Sequence, residues 1–159
     1  MPSVRDVPTA HTPSGGYGNE MPPPVLAGCD EPLVADAPDL RGTWRVVAAE
    51  SGGVPLADDH PVLRHVERVE QAADRVVVTA GGVVHDMYAD GTEDGGVHDV
   101  AAADFSTPIV VVATFENGVL VLRARGLPVE VRRWRDGEQL VWQYHTMFTA
   151  RLERDQRSS

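Results

Sequence analysis

The sequence predicts an all-β protein, folded as an antiparallel up-and-down meander barrel of about eight to ten strands. From Gly42 onward the chain consists of short, valine-rich apolar runs of the kind that strands favour. Turn residues separate these runs about every eight to twelve positions, as in sandwiches and barrels. No long helical pattern alternates with the runs, so a parallel α/β sheet is not expected. A meander of this length is expected to close, because closure removes the strand edges that invite aggregation.

The predicted strands follow the apolar runs. They are Gly42–Glu50, Arg75–Thr79, Gly82–Ala89, Val97–Ala102, Pro108–Glu116, Val119–Arg125, Pro128–Arg135 and Gln139–Arg154, the last one broken near His145. One further stretch, Pro61–Gln71, fits two structures. Val62, Val66 and Val69 recur at helical spacing behind a good helix start. The residues from Val66 onward also make a hairpin with the run that begins at Arg75, and we favour this strand interpretation.

The dipeptide Asn117-Gly118 predicts a tight hairpin, because both central residues tolerate positive φ. With a two-residue loop, the facing pairs are Phe115 with Leu120, Ala113 with Leu122 and Val111 with Ala124. These six residues share one face, and the charged Arg123 and Arg125 fall on the other. The turn and the apolar pattern therefore agree on one register.

A second hairpin is predicted at Asp136-Gly137. It places Val131 opposite Trp142, and Arg133 lies on the same apolar face as both. Arg133 is therefore a candidate cation inside the barrel for an anionic ligand group. The alternative is a rim residue whose guanidinium reaches solvent while its stem packs on apolar surface.

The chain divides into a barrel domain at residues 39–155 and two tails. Residues 1–38 are rich in proline and glycine and poor in large apolar side chains, so they are expected to form a flexible extension. The stretch around residues 22–40 is also compatible with lying across one end of the barrel. Residues 156–159 are expected to be disordered.

Composition narrows the classes of function. The formal net charge is −10, which argues against nucleic-acid and anionic-membrane partners. The chain has no lysine, so neither a Schiff base nor a phosphate-loop lysine is available.

The chain's one cysteine, Cys29, cannot form an internal disulfide. The stretch Leu26-Ala27-Gly28-Cys29 looks like a bacterial lipoprotein cleavage box, but the residues before it supply no apolar segment of the required length. A cytoplasmic location is therefore expected. The Ala, Val, Gly, Asp and Arg bias is typical of GC-rich coding, as in actinobacteria.

The stretch Leu40-Arg41-Gly42-Thr43-Trp44 resembles the Gly-x-Trp start of the calycins, which include lipocalins and fatty-acid-binding proteins. This resemblance implies a barrel that holds a small apolar molecule, with Trp44 plugging one end and Arg151 or Arg154 packed over it. The carboxylate clamp of fatty-acid-binding proteins would fall on Ala150 and Leu152, so a plain fatty acid is not the expected ligand. Neither a Thr-Asp-Tyr motif nor a two-helix lid is evident.

The tripeptide Val-His-Asp occurs at residues 84–86 and again at 97–99. If the turn lies at residues 90–93, a hairpin brings His85 and His98 side by side, roughly 5 Å apart at Cβ. Both imidazoles would then lie on the more apolar face, with Met87 beside His85.

Three interpretations of this pair are open. The rings are structural and hydrogen-bonded, or they are the catalytic residues of an acid–base pair that titrates jointly, or they bind metal or haem. Two ligands are too few for tight metal binding, and a third would have to come from His65 or His145. We therefore predict no metal and no cofactor.

The inward-facing apolar residues are the candidate ligand-binding wall, although such residues are often simply core. They are Met87, Val111, Phe115, Leu120, Leu122, Val131, Arg133, Trp142 and Tyr144. The first function predicted is intracellular binding of a small, largely apolar ligand. The alternative is an isomerase, cyclase or dehydratase that acts on a bacterial secondary metabolite through His85 and His98, and a haem-binding barrel is third. The expected partner is the small hydrophobic ligand, without nucleic acid or membrane, and a homodimer is left open.

Overall fold

The computed structural model describes residues 3–18 and 20–155. The predicted disordered C-terminus at 156–159 lies outside these residues. Within them the strands are β1 (Gly42–Ser51), β2 (Val54–Pro55), β3 (Val66–Ala72), β4 (Arg75–Ala80), β5 (Val83–Tyr88), β6 (Val97–Val100), β7 (Pro108–Glu116), β8 (Val119–Ala124), β9 (Glu130–Asp136), β10 (Gln139–Tyr144) and β11 (Phe148–Arg154). The helical elements are two short 3-10 turns, Val4–Asp6 and Pro61–Arg64. No helix in the described ranges is long and apolar enough to cross a membrane.

The strands form one antiparallel sheet in the order β5-β4-β3-β1-β11-β10-β9-β8-β7-β6, and β2 pairs only with β1. The two end strands approach each other where the Tyr88 amide donates to the Gly95 carbonyl at 2.6 Å. A second bridge joins Nε2 of His85 to the Val100 carbonyl oxygen at 3.1 Å. The sheet is therefore a nearly closed barrel with a gap between β5 and β6. The predicted all-β, up-and-down barrel is confirmed.

The stretch Pro61–Gln71, which fitted both a helix and a strand, contains a helical turn followed by a strand. Pro61–Arg64 forms a single 3-10 turn, in which the His60 side chain accepts from the Val62 amide. From Val66 the chain becomes β3, which pairs with β4 through a tight turn at residues 73–74. The strand interpretation is confirmed for the larger part of the stretch.

The Asn117-Gly118 hairpin has the predicted register, with Phe115 opposite Leu120. The register predicted at Asp136-Gly137 is wrong by two positions: Trp142 faces Arg133 rather than Val131. Asn117 and Gly118 both have positive φ, whereas only Gly137 does so in the second turn. That glycine is the first central residue of its turn, and Asp136 belongs to the strand. A shift of two keeps every side chain on its predicted face.

The predicted hairpin that pairs His85 with His98 is also wrong. β5 and β6 stand at opposite ends of the sheet, and Asp90, placed in the predicted turn, instead bridges to β7. Val97 is buried in the core, so its neighbour His98 faces outward. His98 is exposed, and its Nε2 lies 2.7 Å from the Glu93 carbonyl oxygen.

Inward-facing side chains form the main apolar cluster, and Trp44 is fully buried within it. The indole Nε1 of Trp44 donates to the Leu40 carbonyl at 2.9 Å. The guanidinium carbon of Arg154 lies 4.4 Å from the Trp44 ring centroid, the position that the resemblance implied for Arg151 or Arg154. That the Gly-x-Trp stretch marks a family relationship stays a prediction.

The described part of residues 3–29, which we call the N-terminal segment, lies on the outer face of β4 and β5. Leu26 packs there against Val77 and Val84 in a second apolar cluster. The guanidinium of Arg75, which has no exposed surface, donates to the carbonyls of Val4, Val7 and Pro8. Whether residues 1–38 are flexible, and whether the domain boundary falls at 38, stay predictions.

The same segment spans the gap between β5 and β6. The Thr12 hydroxyl exchanges hydrogen bonds with the backbone of Val84 on β5. The Thr12 amide donates to the Asp99 carboxylate on β6 at 2.9 Å, and the Ala10 amide donates to Asp86 at 2.9 Å. These bonds satisfy part of the polar edge that an end strand leaves unpaired.

Candidate functional site

A buried ion pair crosses the interior of the barrel. Glu67 has no exposed surface, and it faces inward because it lies opposite Trp44 in the pairing of β1 with β3. Its two carboxylate oxygens accept from Nε and Nη2 of Arg133 at 2.9 and 3.1 Å. Bidentate geometry of this kind is the strongest form that an arginine–carboxylate pair takes. It joins β3 to β9, which lie on different sides of the barrel.

His65 completes this buried cluster. Its Nε2 lies 2.8 Å from the Glu67 carboxylate. Burial acts to raise the pKa of Glu67, but the charge of Arg133 and the hydrogen bond from His65 outweigh burial and lower it to about 2. Because an ionised carboxylate can only accept, Nε2 of His65 carries the proton of this hydrogen bond. We call Glu67, Arg133 and His65 the polar triad.

Trp142 packs against the triad from β10. Its ring centroid lies 4.4 Å from that of His65, and the guanidinium carbon of Arg133 lies 5.1 Å from it. The Trp142 side chain is buried, and its Nε1 has no hydrogen-bond partner among the described residues. A buried donor that no described residue satisfies, Nε1 of Trp142, therefore lies beside the triad.

Two more aromatic residues, Phe148 and Tyr144, pack beside Trp142. Phe148 meets Trp142 edge to face at 5.0 Å and stacks on Tyr144 at 5.5 Å. Both residues are only partly buried although they pack against the core. Trp142, Phe148 and Tyr144 thus form an aromatic wall beside the triad.

The interior faces of β7, β8 and β9 also retain accessible surface. Val111, Phe115, Leu122 and Val131 pack against the core cluster but are only partly buried. Inward-facing apolar side chains would be fully covered if others filled the barrel. These four side chains therefore leave some apolar surface accessible on the inner face of the barrel.

A cleft of about 660 Å³ lies beside one end of the barrel. The N-terminal segment, the Pro61–Arg64 turn and the β4–β5 turn line it, with Tyr17, Met21, His65, Thr79 and Gly82 among the contributing residues. His65 also contacts Glu67 and Trp142, so one imidazole borders both the cleft and the buried triad. Of the polar triad, His65 lines the cleft, whereas Glu67 and Arg133 are buried and do not.

His85 faces inward, opposite Val78 of β4. Burial lowers its pKa, and the hydrogen bond to the Val100 carbonyl and the Asp99 charge oppose that effect only in part. His85 is therefore neutral at pH 7. Because His98 lies outside the barrel, these two predicted catalytic residues do not form the expected pair.

The predicted ligand-binding residues lie together on the inner face. Met87, Val111, Phe115, Leu120, Leu122, Val131, Trp142 and Tyr144 belong to or pack against the interior cluster, and Arg133 joins Glu67 there. Their role in binding stays a prediction. No group of three or more histidine, cysteine, aspartate or glutamate side chains in the described ranges is arranged to hold a metal ion.

The sequence interpretation missed Glu67 as a site residue and considered His65 only as a third metal ligand. The inward face of β3 carries Glu67, Val69 and Gln71, and the outward face carries Val66, Arg68 and Glu70. Neither face is uniformly apolar, so alternation did not reveal which side was buried. The usable signal was the Trp44 register, which places Glu67 inside once β3 is paired with β1.

The fold defines the chain as a calycin-like barrel. No protein-family model matches the chain, and no curated protein matches it. Among solved structures, the chain is similar to human cRBP IV, a cellular retinol-binding protein, with a TM-score of 0.54 and 14% sequence identity. The match covers 74% of this chain and 98% of that one. At this identity the likeness shows the fold and confirms the predicted calycin-like architecture.

Proposed function

We propose that the chain is an intracellular binding protein that holds one small, largely apolar molecule inside its barrel. The observation that carries this proposal is the inward-facing wall of β7, β8 and β9, which is apolar and yet only partly buried. Apolar surface left accessible inside a concave site is what a hydrophobic ligand would cover.

The aromatic wall and the barrel size support the same function. Trp142, Tyr144 and Phe148 offer ring faces and edges to an apolar body. Barrels of about eight to ten strands either fill with side chains or enclose one small ligand. Human cRBP IV, which has this architecture, is a retinol-binding protein by name.

The enzyme alternative depended on His85 and His98 acting as one acid–base pair. The strand order does not support that pair, since His98 is exposed beside Glu93. Binding is therefore the function that the arrangement of the interior supports best.

Nile red, a neutral apolar dye, tests the proposal with the full chain. We expect saturable binding of one dye per chain with blue-shifted emission. Val131→Trp, which fills the lumen, should weaken dye binding by about tenfold or more, because it occupies the ligand volume. Arg132→Trp places the same ring on the outer face of the same strand and should leave binding unchanged. Equal dye affinity in both folded variants, or no saturable binding by the wild type, would contradict an internal site.

A further inference from the structure

We infer that the ligand carries a neutral oxygen acceptor, a hydroxyl or a carbonyl, and that the indole N–H of Trp142 donates to it. This inference rests on the proposed function, because it names the polar end of the molecule that the barrel would hold. It assigns Trp142 as the residue that selects the ligand's polar group.

The two inward-facing tryptophans differ in their hydrogen bonding. Nε1 of Trp44 donates to the Leu40 carbonyl at 2.9 Å, as a structural tryptophan does. Trp142 is 7% exposed, and its Nε1 has no partner within the described part of the chain. Buried donors are nearly always paired, and one that is not calls for an acceptor from outside the protein. An oxygen on the bound molecule supplies it.

The charge of the triad argues against a carboxylate at this place. Glu67 already neutralises Arg133 through two hydrogen bonds. A ligand carboxylate beside Trp142 would bring a second buried anion close to Glu67. Burying a charge without a counter-charge is strongly unfavourable. A neutral acceptor satisfies the indole without that repulsion.

The experiment is calorimetric titration of the full chain with 1-decanol, 2-decanone and sodium decanoate at pH 7.5, with Nile red as the reference probe. The wild type should bind the alcohol or the ketone at least about tenfold more tightly than decanoate, because only the neutral groups avoid the repulsion. Trp142→Phe keeps the ring and removes the donor, and should weaken alcohol and ketone binding about fivefold. Trp134→Phe is the matched control, because its neighbour Arg133 faces inward and Trp134 therefore faces outward.

Glu67→Gln provides the converse test. It removes the anion and leaves the Arg133 guanidinium without its counter-charge, so the preference should shift toward decanoate by about tenfold or more. If this variant does not fold, the wild-type preference and the two tryptophan variants still decide the inference.

The outcomes separate the two proposals. Failure of Nile red and of all three decyl compounds to bind would reject the proposed function itself. Saturable Nile red binding would keep that function and overturn the inference in any of three cases: decanoate binds as well as the neutral compounds, neither neutral compound binds, or Trp142→Phe behaves like Trp134→Phe.

Discussion

At the scale of single residues, the interior is organised by one ion pair rather than by its apolar wall. Glu67 and Arg133 are both buried, and each would be costly to bury alone. The bidentate contact and the hydrogen bond from His65 satisfy the carboxylate on three sides. The pair also fixes the distance between β3 and β9 across the lumen. A buried charge pair with this geometry positions two walls of the site at once.

The low pKa of Glu67 predicts an acid-dependent stability. The folded-state pKa, about 2, lies below the ordinary value of 4.5, so the stabilisation is complete above pH 4.5. It is lost as pH falls from there through about 2. Glu67→Gln should lower the free energy of unfolding at pH 7 by about 3 to 5 kcal/mol, because it leaves Arg133 buried without a counter-charge. The difference from the wild type should shrink at pH 3 in denaturant titrations.

Glu116→Gln is the control for this prediction. The hydrogen bond from Arg123 is the largest effect that lowers the pKa of Glu116 to about 2, but this carboxylate is exposed. Solvent screens exposed pairs, so the variant should change stability little at either pH. Equal effects of the two substitutions would contradict the assignment of the acid response to the buried triad.

At the scale of elements, tight turns set the register of the barrel. Asn117 has φ 53° and Gly118 has φ 81°, and a two-residue loop of this kind matches the twist of its strands. Nothing lies within 4 Å of the position that a Gly118 Cβ would occupy. The glycine is therefore required by the backbone conformation and not by space.

Gly118→Ala should lower the free energy of unfolding by about 1 to 2 kcal/mol, the cost of left-handed backbone for a residue with a Cβ. Asn117→Gly, which relaxes the same conformation at the adjacent position, should change stability by less. Urea titration of both variants measures the difference. A Gly118→Ala variant as stable as the wild type would show that the turn can change type without cost.

The strands themselves could be predicted because their signals are local. The β7–β8 hairpin follows from the Asn117-Gly118 dipeptide and from side-chain alternation on either side of it. The β5–β6 connection carries a similar set of turn residues at 90–93, yet these residues do not make a hairpin. Asp90 bridges to Thr114 of β7, which is far away in the sequence. A long-range contact therefore decided this register, and the prediction for His98 was wrong as a result.

At the scale of the whole molecule, the N-terminal segment contacts the outer face of the barrel. Arg75 anchors it: this fully buried guanidinium binds Asp86 at 2.6 and 2.8 Å and three carbonyls of residues 4–8. The segment covers Val77 and Val84, which would otherwise present apolar side chains on the outside of the barrel. The composition of residues 1–38 gives no sign of this, since few of its residues are large and apolar.

Arg75→Met should free the segment from the barrel. The variant leaves the Asp86 carboxylate without its buried counter-charge, so we expect a loss of about 3 to 5 kcal/mol in the free energy of unfolding. Limited proteolysis should cleave within residues 3–18 much faster than in the wild type. The double variant Arg75→Met/Asp86→Leu removes both charges and should recover part of the stability while cleavage stays fast. Slow cleavage in the folded single variant would show that Arg75 does not hold the segment.

Only some residues of the candidate site could be predicted from the sequence. Arg133, Trp142 and Tyr144 lie on strands whose faces are apolar enough to be assigned, and all of them face inward. Glu67 was not recognised, because it lies on a strand whose two faces look alike and its partner is 66 positions away. No spacing rule connects residues that meet only across a closed barrel.

The sequence by itself determined the strands, their alternation and the tight turns, because each depends on neighbours a few positions apart. It therefore also determined that an antiparallel barrel forms and which residues of β7 to β10 line it. Only the tertiary structure decided that β5 and β6 end the sheet, that Thr12 bridges the gap between them, and that Glu67 meets Arg133. These are contacts between distant parts of the chain. Their stabilisation comes from burial and charge pairing that exist only once the barrel has closed.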